Sequence, residues 1–105
     1  LEPTAVAPIG DYVSVADFLL DCEPADSDHN YTITRVGGLV TNESWTSVAT
    51  GNLVKTIAYF RVGDLVASET RSVYGPDGLV VVAQLVVTYA RTGGEVTGAA
   101  YVRTI

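Results

Sequence analysis

Arg35-Val36-Gly37-Gly38-Leu39-Val40 recurs as Arg61-Val62-Gly63-Asp64-Leu65-Val66, and a weaker copy runs Arg91-Thr92-Gly93-Gly94-Glu95-Val96. Each copy sets two turn residues, Gly-Gly or Gly-Asp, between strand-like runs. Glycine reaches the positive φ that type I′ and II′ turns require, and those turns match the natural twist of the strands they join. The three phrases therefore read as the tips of three β-hairpins.

Working outward from the tips gives the strands. Tyr31, Ile33 and Arg35 alternate with Thr32, Thr34 and Val36, and the return strand runs from Leu39 to about Val48. Thr50-Gly51-Asn52 turns the chain into a third strand, Leu53 to Val62, and Gly63-Asp64 reverses it into a fourth, Leu65 to Tyr74. Gly75-Pro76-Asp77-Gly78 is a turn with proline pre-set for the bend and glycine at its exit. A fifth strand, Leu79 to Arg91, and a sixth, Val96 to Ile105, complete the pattern. β-branched residues dominate throughout, as half-buried pleated surfaces favour. The expected fold is mainly β: a six-stranded antiparallel up-and-down meander. A small closed barrel, an open sheet and a two-sheet sandwich all fit.

Strand five differs from the others. Val80, Val82 and Val86 lie on one face, and Leu79, Val81, Leu85 and Val87 lie on the other. A strand apolar on both faces needs cover on both. That cover comes either from intramolecular sandwich packing or from a partner subunit.

The N-terminal region has another character. Residues 1–12 contain Pro3, Pro8 and Gly10 without periodicity and read as an extended arm. Ser14 suits a helix N-cap with Asp17 three residues on, and Val13 with Phe18 has the spacing of a hydrophobic staple. Val15, Phe18 and Leu19 give one apolar face to a short helix over 14–21, which Pro24 would stop. So short a helix does not persist alone in water, so something must pack on it. Of the net charge of −6, seven acids fall in residues 1–28 with no base; the remaining five acids are offset by all six bases. The chain thus divides into an acidic N-terminal arm, 1–28, and an antiparallel β domain, 29–105, expected to fold without the arm. The arm reads either as a solvated tail or as a segment that reaches a neighbour's basic surface.

Composition excludes several classes. A length of 105 residues fits one core, and 48% hydrophobic content is far from a disordered acidic tail. The longest apolar run, Leu79 to Ala83, is too short for a bilayer span, and no basic-then-apolar signal pattern is visible. Without a basic stripe, binding to nucleic acid is not expected. The single Cys22 rules out an internal disulfide, and its acidic neighbours Asp21 and Glu23 disfavour a thiolate. Neither an enzyme nor a cofactor is expected: the one His and the one Cys fall outside the strand framework, and His29 reads as a solvated loop residue. Asp26-x-Asp28-x-Asn30 begins like a calcium loop but has Tyr31 at the glycine position and Gly37 at the glutamate position. Lys55, Glu43, Glu69 and Arg71 fit either a polar pocket or cross-strand ion pairs. Arg35, Arg61 and Arg91, each before a tip at the same end of the meander, suit a small positive patch or hairpin-end charges.

The run Glu69-Thr70-Arg71-Ser72-Val73-Tyr74-Gly75-Pro76-Asp77-Gly78-Leu79-Val80, followed by Val87-Thr88-Tyr89-Ala90-Arg91-Thr92-Gly93-Gly94-Glu95-Val96-Thr97, resembles β-meander segments of tailed-bacteriophage virion proteins. It is also loosely similar to the Tyr-Asp repeats of large bacterial shell-forming toxins, although Gly75 stands after Tyr74. The resemblance implies a structural subunit of a particle: a tail, neck or capsid-decorating protein located in the virion. It carries over no site residues. The expected function is therefore a non-enzymatic assembly protein with other protein subunits, including copies of itself, as partners. Val13, Phe18, Leu19, Arg35, Arg61 and Arg91 are the candidate partner-binding residues. The alternative is a bacterial cytoplasmic β-barrel that binds or cyclises an apolar small molecule, with Trp45, Tyr59, Tyr89 and Glu69 lining its cavity.

Overall fold

The computed structural model describes residues 15–105. A helix α1 (Val15–Asp21) precedes six strands: β1 (His29–Val36), β2 (Leu39–Ser47), β3 (Leu53–Val62), β4 (Leu65–Tyr74), β5 (Val81–Thr92) and β6 (Glu95–Arg103). The strands form one sheet in sequence order, each antiparallel to the next. Of the three arrangements the pattern allows, the chain takes the open sheet, not the barrel or the sandwich. Every connection is short, so each strand returns beside its predecessor and none crosses to a second layer. β1 and β6 are left as edges.

Pairing shows that the repeat is longer than its six-residue phrase. In each hairpin the register shifts immediately before the arginine, between Thr34 and Arg35, Phe60 and Arg61, and Ala90 and Arg91. The extra residues of these bulges are Thr41, Ala67 and Thr97. The Thr41 and Thr97 hydroxyls each donate across the bulge, to the Thr34 and Ala90 carbonyls, at 3.3 Å. Gly37 and Gly38 have φ of 60° and 82°, and Gly93 and Gly94 have 59° and 87°, the double positive φ of a type I′ turn. In the middle hairpin only Gly63 is positive, and that is why Asp64 is tolerated as the second turn residue.

β5 begins two residues later than the apolar run suggests. The Gly75 and Gly78 amides bond to the Val80 and Gly75 carbonyls, and the Leu79 amide donates to the Asp77 carboxylate at 2.9 Å. Those bonds hold residues 75–80 as a loop and leave Leu79 exposed. Gly78 has φ +73°, and a Cβ there would lie 2.8 Å from the Leu53 amide nitrogen. This turn is thus wedged against the β2–β3 connection.

The core is small and lies on one face. Leu20 packs with Val73 and Ala83, flanked by Ala16, Leu19 and Leu85. The packed face of α1 is therefore Ala16, Leu19 and Leu20, while Val15 is exposed, although the spacing alone favours Val15, Phe18 and Leu19. The reason lies just past the helix. Cys22 and Pro24 are buried as the chain passes over the sheet, and this turns the side next to Leu20 inward. The Cys22 amide bonds to the Phe18 carbonyl, and the helix ends before Pro24.

Candidate docking surface

Directly opposed residues in antiparallel strands share a face, so the registers sort every strand residue onto one of two surfaces. The first carries the rows Tyr31–Trp45–Lys55–Val73–Ala83 and Ile33–Glu43–Ile57–Arg71–Leu85–Arg103, and a third, Tyr59–Glu69–Val87–Tyr101. The second carries Thr32–Ser44–Thr56–Ser72–Gln84, then Thr34–Asn42–Ala58–Thr70–Val86–Val102, then Phe60–Ser68–Thr88–Ala100. These last three rows hold no charged residue and one aromatic ring. Solvated sheet faces ordinarily alternate charged and polar groups outward. Among the described residues nothing packs over this surface, and Phe60 on it is 64% exposed.

The charged face is internally satisfied. The Lys55 ammonium, on a residue only 2% exposed, donates to the Cys22 carbonyl at 2.9 Å and lies 5.5 Å from the Trp45 ring centroid. Burial, helped by nearby Arg71, pulls its pKa down to about 8. Arg71 donates to Glu69 at 2.9 Å and to the Leu20 carbonyl at 3.2 Å. Asp17 of α1 meets Arg103 of β6 at 2.6 Å. Beyond the helix, Glu43 accepts from the phenols of Tyr31 and Tyr59, and Glu69 from that of Tyr89. Burial, then these carboxylates, raise all three phenols, Tyr89 to about 12. Each of these groups has its partner within the chain, so the cluster is built as a cross-strand brace.

The three arginines are also stitched, in a repeating way. Arg61 donates through Nε and Nη2 to the Val40 carbonyl at 3.1 and 2.9 Å, and through Nη1 to the Asp64 carbonyl at 2.8 Å. Arg91 does the same one hairpin on, to Val66 at 3.0 and 2.8 Å and to Gly94 at 2.8 Å. Each guanidinium thus ties its own tip to the preceding hairpin. Arg35, on the edge strand, has only its own tip, with Gly38 at 3.4 Å.

The structure distributes the sequence-based candidates unevenly. Val13 lies outside the described residues, as do the extended arm 1–12 and the Ser14 cap. Leu19 packs into the core and Phe18 is half-buried on the same helix. Arg61 and Arg91 each bond to carbonyls of their own tip and of the preceding hairpin, and Arg35 to its own tip. Cys22 is fully buried. His29 Nδ1 lies 2.9 Å from the Ala25 carbonyl and closes the 25–29 loop. Within 1–28, Leu20 of α1 packs on Val73 and Ala83, and the Cys22 and Leu20 carbonyls accept from Lys55 and Arg71. An open groove of about 450 Å3 at the turn end of the sheet is lined by Val15, Leu19, Leu53, Val73, Pro76 and Val82, among others. Trp45, Tyr59, Tyr89 and Glu69 do not line it.

Sequence reasoning missed the uncharged face, although the signal was present. Along the three central rows every residue is Thr, Ser, Asn, Ala, Val or another uncharged type, and the charge on this side stands at the third tip, where Glu95 opposes Thr92. The pattern becomes visible only when the six alternations are summed across the register. Among the described residues no group of three His, Cys, Asp or Glu side chains could hold a metal ion, and no helix is long and apolar enough to cross a membrane. Compared with known proteins, the chain matches no family model, no curated protein and no solved structure.

Proposed function

We propose that the protein is a non-enzymatic structural subunit that works by packing against other protein chains, copies of itself included. One observation carries this reading: the apolar side chains left in water outweigh those in the core. Among the described residues seven hydrophobic residues are buried, whereas fifteen large hydrophobic residues are exposed. Isolated surface leucines or valines are ordinary, but here they concentrate on the edge strands and at the two turn ends of the sheet. Such a sheet, with two open edges and central rows free of charge on one side, is a hazard for a lone molecule and an asset for a subunit. The resemblance of residues 69–97 to phage β-meanders supports a virion as the particle concerned.

Light scattering coupled to size exclusion tests the proposal on the full chain. A mass of several subunits that falls on dilution is expected. A monomer at every concentration from micromolar to the solubility limit overturns it.

A further inference from the structure

Resting on that reading, we propose that the sheet continues from one copy to the next, with β6 of one chain pairing antiparallel to β1 of another, head to tail. The three hairpins share one set of links, and the two outer strands depart from it in matching ways.

The equivalences follow from the tips and bulges. Arg35, Arg61 and Arg91 correspond, as do Val40, Val66 and Val96, each just after its tip. Between hairpins, β2 meets β3 and β4 meets β5 in one common register. Asn42 pairs with Ala58 and Ser68 with Thr88, in both cases two residues after the valine and three before the next arginine. Two side-chain links cross each of these joints: an arginine to the valine carbonyl, and a tyrosine to a glutamate. At β2–β3 they are Arg61 to Val40 and Tyr59 to Glu43. At β4–β5 they are Arg91 to Val66 and Tyr89 to Glu69.

The outer edges hold the two halves of a third joint. β1 carries Arg35, whose guanidinium reaches only Gly38, at 3.4 Å. β6 carries the matching Val96 carbonyl, to which no described arginine donates. The second link is altered on both sides together. Where Tyr59 and Tyr89 stand, β1 has Ile33; where Glu43 and Glu69 stand, β6 has Ala99. A tyrosine here without the glutamate, or a glutamate without the tyrosine, would leave a polar group without its partner at a closed joint. Changing both gives an apolar pair of small and large residues, which fits a covered joint and serves no purpose at two separate solvated edges. Both edges are exposed along nearly their whole length, with Ile33, Val96, Tyr101 and Val102 in the open. The alternating strand directions already make β6 and the next β1 antiparallel. The common register then sets Gly98 opposite Thr32 and Ala100 opposite Asn30 of the neighbouring copy. A head-to-tail contact of this kind gives a ring where the rotation closes and a filament where it does not.

Cysteine pairing reads this register directly. Asn30 and Ala100 are exposed on the uncharged face, outside both links. Opposed Cα atoms in an antiparallel pair lie about 4.5–5.5 Å apart, within disulfide range. Full-length Asn30→Cys and Ala100→Cys chains are mixed, oxidised and mapped by mass spectrometry, with Val102→Cys as an out-of-register control. Cross-links between 30 and 100 are expected to dominate over those between 30 and 102 and over self-pairs. Dominant 30–30 or 100–100 pairs indicate a symmetric edge contact and overturn the head-to-tail arrangement. Association by light scattering with none of these cross-links overturns the edge joint while the subunit reading stands. A persistent monomer overturns both. Arg35→Ala is expected to weaken association by about tenfold or more, the scale of a charge-assisted bond, with its urea midpoint unchanged. Association unaltered in that variant removes the arginine link from the joint.

Discussion

On one face of the sheet, Lys55 is buried against the Cys22 carbonyl, Arg71 reaches Leu20, and Glu43 and Glu69 collect three tyrosines. On the other face the same strands offer threonine, serine, alanine and valine in unbroken rows without a charge. The first is finished: it has a helix over part of it and internal partners for its polar groups. Among the described residues the second has no helix over it, and the side-chain bonds on it, Gln84 to Ser72 at 3.0 Å and Thr104 to Gln84 at 2.9 Å, are between neutral groups. Charge on a sheet usually marks the side left to solvent, and here it marks the side the chain covers itself. The charged groups can be buried because α1 and its exit bring backbone carbonyls to meet them, whereas an uncharged face can be covered by another chain with little desolvation cost.

The sharpest break of this comparison is one substitution made on each face. Val73→Asp places a carboxylate in the core under Leu20, where Val73 is 2% exposed, and is expected to destabilise the fold by about 4 kcal/mol or more in urea unfolding. Ala58→Asp, exposed in the middle of the uncharged face, is expected to change unfolding by under about 0.5 kcal/mol and to disrupt association in light scattering. Equal losses of stability would erase the distinction between the faces.

Stability against pH isolates the charged face. Lys55 titrates at about 8 in the folded chain and near 10.5 when free. Between those values the unfolded chain holds a proton that the folded chain has released, so stability climbs with pH, by up to about 3 kcal/mol. Above about 10 the raised phenols of Tyr31, Tyr59 and Tyr89 reverse the slope, because the folded chain keeps protons that the unfolded chain loses. Urea midpoints are therefore expected to peak between about pH 9 and 10. In Lys55→Met the rise is expected to vanish while the fall above pH 10 remains.

Gly78→Ala sharpens the role of the turn end, since its Cβ would meet the Leu53 amide at a positive φ. A loss of about 2 kcal/mol is expected, against almost none for Gly98→Ala, whose Cβ would meet only that of Ala90, at 4.0 Å. The smallest effect separates the arginines. Arg91→Ala removes the bonds to Val66 and Gly94 and is expected to cost about 1 kcal/mol, given its partial exposure. Arg35→Ala in a dilute monomer is expected to cost under about 0.5 kcal/mol.

Much of the fold was legible in local chemistry. The tips at Gly37, Gly63 and Gly93 demand positive φ, and a two-residue turn between alternating runs permits little except a hairpin. The strand limits of β3 and β4 follow from the same signals. The start of β5 did not, because the bonds among Gly75, Asp77 and Val80 compete with the ladder and no apolar count records them. The packed side of α1 was hidden for a similar reason. Two spacings on a seven-residue helix are equally apolar, and the burial of Cys22 and Pro24 chooses between them. Of the candidate site residues, the arginines were visible as a repeated signal, but their bonding depends on which carbonyl a neighbouring hairpin presents.

By itself, then, the sequence determined a six-stranded antiparallel meander, its tips and the order of its strands, since each depends on residues close along the chain. Only the tertiary structure decided that the sheet stays open, that α1 covers the charged face, and that the uncharged rows align from β1 to β6. Those outcomes rest on register between distant strands. In a strand a shift of one residue exchanges the two faces, so no single strand reveals which face its neighbours will share.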